Sequence, residues 1–444
     1  MTLTEATFWT KKVGVIVLVV IGVFVVIAII VTSKSNKPLP AEYITANYAC
    51  TDKKEDFLAE KLVIPSLEVN SDSESVFELK TDSGKVNDLS ALRIINVHSY
   101  KTRTQQLDNQ LKAKNIATRL GFNPDAIYRK GTTDYIWTES INSRSLDIDA
   151  TTLNFSMITN SSYIREVAKE SPLPSINEAI SLAKNLVRQV GILGSDYNYD
   201  SAGNITTHLI DINPDGTYSE APSLAEAELI KVDFQKTRSM ISIKENIANS
   251  QAMITALNKQ LTEPVEEEII VNSERVLVSN YSTLVTYQNP NSSHISIYVG
   301  PEDPNSEVLK NIYRIDFLYW QLNTESCGTY ELLSPSYALE KVQEGMGSLV
   351  YLNEKNGDEI ATYQPKSVKK YTIYDVNIAY YEPDTQPSFL QPIYIISGET
   401  TFKDESKGEF HIFFPAINYV IVQDKVELPE TPIEDSSNDS PFGL

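Results

Sequence analysis

Two places in the 444-residue chain carry the Ser-x-x-Lys spacing that sets a lysine beside a serine nucleophile: Ser181-Leu-Ala-Lys184 and Ser367-Val-Lys-Lys370. Acyl transfer would be the chemistry. The partner motifs of such a site, Lys-Thr-Gly and Ser-Asp-Asn, occur nowhere in the chain. Ser181 and Lys184 also fall on the polar side of a helical pattern, so they are read as a solvated face. The histidines, His98, His208, His294 and His411, are isolated from one another, each in or beside a β-prone run. With no His-Glu-x-x-His pair and no Gly-x-Ser-x-Gly elbow, they are read as ordinary strand or loop histidines. No catalytic, cofactor-binding or metal residue is assigned, and no cofactor is expected.

Asp196-x-Asn198-x-Asp200 and Asp211-x-Asn213-x-Asp215-Gly216 open like calcium loops, in which alternate oxygens converge on the ion and glycine permits the turn. The twelfth positions are Thr207 and Pro222, where a bidentate glutamate belongs. Hairpin turns use the same residues, and a turn is the better reading of both. Cys50 and Cys327 are too few for a four-thiolate zinc site or a dense disulfide framework. They either pair in an oxidising compartment, tying a stalk to the distal domain, or are two unrelated buried thiols.

The elements that would position these residues follow from periodicity. Ser175-Ile-Asn-Glu178 has the capping-box form, and Ile176, Ala179, Ile180, Ala183, Leu186, Val187 and Val190 make one apolar stripe ended by Gly191. Further helices are expected over 105–120, from Lys244 to Leu261, and from Ser334-Pro335, where serine caps and proline takes the first helical position. Strands are expected at 76–80, 92–97, 133–138, 145–149, 152–157, 205–212, 228–234, 275–287, 295–299, 312–319, 371–381, 392–397 and 410–414. The recurring order, helix then antiparallel strands, and the repeat Ser-x-x-x-Ala-[Ile/Leu] at Ser175 and Ser334 imply α+β modules with a helix on one sheet face.

Residues 13–31, VGVIVLVVIGVFVVIAIIV, hold no charged or polar side chain and are long enough to cross a hydrocarbon core of ~30 Å. The run exceeds a signal-peptide core and Val31-Thr32-Ser33 is a poor cleavage site, so an uncleaved anchor is expected. Lys11 and Lys12 before the run nearly balance Lys34 and Lys37 after it. The large acidic remainder on the far side then places residues 1–12 in the cytoplasm and the bulk outside it. The expected organisation is a stalk at 34–51, modules at 52–165, 166–325 and 326–425, and a disordered acidic tail at 426–444. The fold class is thus α+β: a single N-terminal transmembrane helix followed by two or three helix-on-antiparallel-sheet modules. A formal net charge of −21 without clustered Lys and Arg argues against a nucleic-acid partner.

In the last third, Thr329-Tyr330-Glu331-Leu332, the Ser-Pro helix with Ala338-Leu339, Val376 to Tyr381, Leu390-Gln-Pro-Ile-Tyr394 and Phe410 to Ala416 follow one another in an order that resembles the YycH/YycI type of membrane-anchored extracytoplasmic regulator. It is also similar to PepSY-like modules more broadly. The resemblance covers residues 329–417 and implies a single-pass protein whose ectodomain modulates a cell-wall-sensing histidine kinase by contact, without chemistry of its own. Its motifs mark no functional residue. The expected function is therefore a non-enzymatic anchored ectodomain that binds or regulates another envelope membrane protein, with the lipid bilayer met through residues 13–31. A passive module binding envelope glycan or peptide is the alternative, suited to 24 Tyr against 3 Trp. An anchored hydrolase is the remote one, to be revived by a buried, pKa-perturbed cluster in a large pocket.

Overall fold

The computed structural model describes residues 46–424, except 71–75, 82–91, 103–105, 131–133, 192–196, 198–203, 245–263, 272–273, 356 and 361–362. Strands and helices are numbered in chain order. The described chain opens with α1 (Lys54–Ala59), β1 (Val76–Leu79) and β2 (Ile94–Ser99). It continues through α2 (Asn109–Arg119), β3 (Tyr128–Lys130), β4 (Asp134–Glu139), β5 (Arg144–Asp149), β6 (Phe155–Thr159), α3 (Ser161–Ala168) and α4 (Ile176–Val190). Next come β7 (Ile205–Ile212), β8 (Tyr218–Glu220), β9 (Leu229–Phe234), β10 (Lys236–Lys244), β11 (Val265–Val271), β12 (Glu274–Thr286), β13 (Ile295–Val299) and β14 (Ile312–Phe317). The last part holds β15 (Gly328–Glu331), α5 (Pro335–Gln343), β16 (Ser348–Glu354), β17 (Val368–Tyr381), β18 (Phe389–Phe402), β19 (Lys407–Pro415) and α6 (Tyr419–Asp424).

These strands form two large sheets. One has nine strands in the order β3-β4-β5-β6-β14-β13-β9-β7-β8, and the other has ten, built on β10-β12-β17-β18-β19-β16 with β1, β2, β11 and β15 at its sides. Among the described strands the chain passes between the sheets four times, after β2, β9, β12 and β14.

Alternation in β5 and β6 aims Leu146, Ile148, Phe155 and Met157 at one face of the nine-stranded sheet, where α2 and α4 cover them. Ala113, Ala117, Ala179 and Ala183, all fully buried, let the helices approach closely. A larger side chain at Ala183 would overpack this layer at a cost of about 1–3 kcal/mol. Helix α4 starts as its residues require: Ser175 Oγ accepts the Glu178 amide at 3.3 Å, and Gly191 ends it at φ 67°. The second face of this sheet is apolar where Ile164 and Val167 of α3 pack on Ile210, Ile212, Leu229 and Tyr298, and it carries ion pairs as well. Lys231 pairs with Asp233 along β9 at 2.8 Å, and Arg314 with Asp316 along β14 at 2.9 Å.

The ten-stranded sheet buries Ile373, Ile378, Tyr394, Ile396 and Phe410 against α5 and β2 on one face, and packs Tyr381, Ile393 and Phe413 against Ile64 on the other. A disulfide joins Cys50 to Cys327 across a separation of 277 residues. The described end of the expected stalk lies along β15, where the Asn47 and Tyr48 amides both donate to Thr329 O at 3.1 Å.

The α+β expectation, PepSY-like helix-on-sheet modules behind a transmembrane helix, is corrected. Strand predominates in two large sheets, and the helices are peripheral. Each sheet recruits strands from distant segments: β2 pairs with β15, and β12 runs parallel to β17 through Val285 with Tyr380. The strands after α2 (β3 to β6) and after α5 (β16 to β19) do pair among themselves, but each group is only part of a larger sheet completed by strands from elsewhere in the chain, not a separate module. The longest described helix, α4, has 15 residues. Among the described residues no helix is long and apolar enough to cross a membrane, and residues 13–31 lie outside them, so the membrane, single-pass and signal-anchor expectation has no support in the described structure. The helix expected from Lys244 is corrected at its first residue, which ends β10; residues 245–261 lie outside the described structure, as does the tail at 426–444.

Candidate functional site

Each passage between the sheets delivers polar side chains to one buried point. The passage after β2 brings Tyr100, that from β9 into β10 brings Lys236, that from β12 to β13 brings Tyr287 and His294, and that after β14 brings Tyr319 and Trp320. The β17–β18 connection supplies Glu382, whose amide donates to Thr286 O at 3.0 Å, and Asp384.

Lys236 and Glu382 are both completely buried, with Nζ 2.8 Å from Oε2. Nζ also donates to Trp320 O at 3.1 Å, and the Tyr100 hydroxyl donates to Glu382 Oε2 at 2.5 Å. The rings of Tyr100, Tyr319 and Tyr197 stand 5.5, 5.7 and 5.9 Å from the ammonium, within reach of cation–π attraction. On the other side His294 Nδ1 lies 3.2 Å from Glu382 Oε1 and Nε2 lies 3.1 Å from Asp384 Oδ1. Carboxylates only accept, so the imidazole satisfies both by donating from both nitrogens, as the cation. Two cations then balance two carboxylates.

Burial pushes the Glu382 carboxyl up, but Lys236 and His294 outweigh it and hold the group at about 2. Burial pushes His294 down, and its bonds to Asp384 and Glu382 reverse that, leaving it above the ordinary histidine value. The His294 bond in turn lowers Asp384.

From this junction His294 and Asp384 open onto a cleft of about 560 Å³. Its walls are the β12–β13 connection with Tyr287, Asn289 and Ser293, strand β16 with Tyr351 and Asn353, and the following loop with Asp358, Glu359 and Tyr363. That loop also reaches the nine-stranded sheet: Glu359 Oε2 lies 3.7 Å from His208 Nδ1, and His208 Nε2 is 3.8 Å from Asp233. Burial raises the Glu359 carboxyl more than His208 lowers it. Hydroxyls, amides, carboxylates and aromatic faces around one cleft suit polar ligands through hydrogen bonds and ring stacking.

The residues singled out in sequence are mostly elsewhere. Ser181 Oγ donates to Asn177 O at 2.9 Å, one turn back on α4, and Lys370 pairs with Glu78 at 2.7 Å, so neither Ser-x-x-Lys spacing makes a nucleophile and base. The second calcium-like loop is a turn, with Gly216 N donating to Asn213 O at 2.8 Å and Thr217 N to Asp215 Oδ1 at 3.0 Å. Asp196, Asn198 and Asp200 lie outside the described residues. Among the described residues no group of three or more His, Cys, Asp and Glu could hold a metal ion.

His98 accepts from Arg238 Nε at Nδ1, 3.3 Å, and therefore donates from Nε2 to Ser239 O at 2.8 Å as the neutral ring. Burial and the Arg238 charge hold it down to about 4, and burial alone does the same to His411. Of the four histidines only His294 enters the junction. Spacing does not tie it to Lys236 or Glu382. The one trace in sequence is charge embedded in β-prone runs, Lys236 just after Phe234 and Glu382 just after Tyr381.

No protein-family model matches the chain, and no curated protein matches it either. Among solved structures, an uncharacterized protein from Eubacterium rectale ATCC 33656 is similar over 73% of this chain and 83% of its own, at 10% identity and a TM-score of 0.33.

Proposed function

We propose that the protein is a non-enzymatic, extracytoplasmic binding protein that regulates another envelope protein by contact. The observation that carries this reading is the continuity of the cleft with the junction: the cleft lined by Tyr351 and Asn289 is also lined by His294 and Asp384, which are bonded to each other where the two sheets meet. Occupancy therefore bears on the ion pairs of the junction. The Cys50–Cys327 disulfide supports an oxidising compartment, where such bonds persist. The resemblance of residues 329–417 to YycH/YycI-type regulators makes a histidine kinase the first partner to look for.

The remote hydrolase reading gains the perturbed, buried cluster it needed but, among the described residues, no activated nucleophile beside it. Ser292 and Ser293 donate to the main-chain oxygens of Asn289 and Phe234. His294, already donating from both nitrogens, has no lone pair with which to act as a base.

The test is photocrosslinking of the full chain in its native envelope from positions 289 and 351, followed by mass spectrometry of what is attached. Capture of one envelope protein from both positions, and not from exposed Lys369 on β17, supports the proposal. Recovery of cell-wall material without protein would move the function to the second reading, a passive module for glycan or peptide. That reading is favoured by one observation, the grouping of Tyr287, Tyr351 and Tyr363 with Asn289, Asn353 and Gln364 around the cleft.

A further inference from the structure

A second concavity, of about 540 Å³, lies away from the cleft between α2 and the turn joining β5 to β6. Lys112, Asn115 and Arg119 stand at i, i+3 and i+7 on α2, hence one above another on a single face, and all three line it. Lys101, Thr151 and Thr152 also line it.

The sign of this lining sets it apart. The chain has 59 Asp and Glu against 38 Lys and Arg, yet among the described residues no carboxylate lines the concavity. The cleft carries Glu354, Asp358, Glu359 and Asp384, and a smaller hollow beside His294 carries Asp134, Asp147, Asp149 and Asp316.

The walls are also fixed before any ligand arrives. Asn109 Nδ2 donates to Ala150 O at 2.7 Å and Thr151 O at 3.1 Å, pinning the turn to the start of α2. Asp149 Oδ1 accepts the Thr151 amide at 2.9 Å and the Thr152 hydroxyl at 2.8 Å. Arg119 Nη1 donates to Val190 O at 2.6 Å while Gln189 Nε2 donates to Arg119 O at 2.9 Å, so the ends of α2 and α4 hold each other. Preorganised donors lose little freedom on binding.

We propose that this concavity binds a small phosphorylated or carboxylated polyol. Lys101 and Lys112 meet the anion, and Asn115 and Thr151 meet the hydroxyls. Lys112 now pairs with Asp108, one turn back, at 3.1 Å, and shares its charge with the ligand when bound. The net charge of −21 does not prevent this. Charges more than about 8 Å away are screened at physiological salt, while each cation in contact contributes about 1 kcal/mol even in bulk water.

The test is calorimetric titration of the full chain with glycerol 1-phosphate at low ionic strength, with glycerol as the uncharged probe. Lys101→Glu and Lys112→Glu each weaken glycerol 1-phosphate binding by about tenfold or more, as expected from removing one contact and adding a repulsion. Lys369→Glu changes the net charge equally on β17 and leaves binding as it is. Absence of binding by the wild-type chain, equal binding of glycerol, or equal weakening by Lys369→Glu would each overturn the proposal. Vesicles containing phosphatidylglycerol separate the two sources of the anion. Lys101-dependent co-sedimentation places it on a lipid headgroup, and binding of the free phosphate alone places it on a soluble molecule.

Discussion

His294 and Glu382 meet across the boundary of the two sheets, Nδ1 to Oε1 at 3.2 Å, with Lys236 on the second oxygen of the same carboxylate at 2.8 Å. One buried carboxylate thus holds two cations delivered by two different passages of the chain. Removing one member would strand a buried charge at the junction, which costs more than keeping the set paired.

Glu382→Gln leaves Lys236 and His294 buried without their shared counterion. The expected loss is about 3–5 kcal/mol, read from the denaturant midpoint at constant slope. Adding Lys236→Met removes the stranded ammonium, and the double variant regains part of that loss. A single variant within about 1 kcal/mol of the wild type would show that the pair does not hold the junction.

His294 has a raised value in the fold, so its contribution is fully present below the unfolded value of 6.5 and is lost as pH rises through the folded one. The stability gap between wild type and His294→Gln should therefore be wide in mild acid and close in alkali. A gap that widens with pH would contradict the cationic assignment.

His98 and His411 act in the opposite direction. Each sits at about 4 in the fold against 6.5 unfolded, so the unfolded chain binds the extra protons between those values. Stability from each is complete above pH 6.5 and falls by about 3 kcal/mol as pH drops to 4. Histidine NMR titration separates the groups: two rings titrating near pH 4, and His294 above the ordinary range.

Reduction of Cys50–Cys327, or Cys327→Ser, releases a closure spanning 277 residues. Chain entropy alone puts the loss at about 6 kcal/mol. The effect is expected in unfolding experiments with and without reductant, and an unchanged midpoint would show that the docking of residues 46–50 on β15 suffices without the bond.

What the sequence determined by itself was local. Ser175 and Gly191 bound α4, Ser334 and Pro335 start α5, and alternation over 145–149 shows which side of β5 is buried, because caps and periods of 3.6 and 2 act within a few residues of one another. The apolar run at 13–31 is equally plain in the sequence, though it lies outside the described residues. Only the tertiary structure decided the rest: that β2 pairs with β15, that β12 lies parallel to β17, that Cys50 reaches Cys327, and that Lys236 meets Glu382 over a separation of 146 residues. Strand pairing is made by backbone groups common to all residues, so the sequence does not mark which strand is a neighbour. The junction inherits that silence, since its members converge only after both sheets have formed.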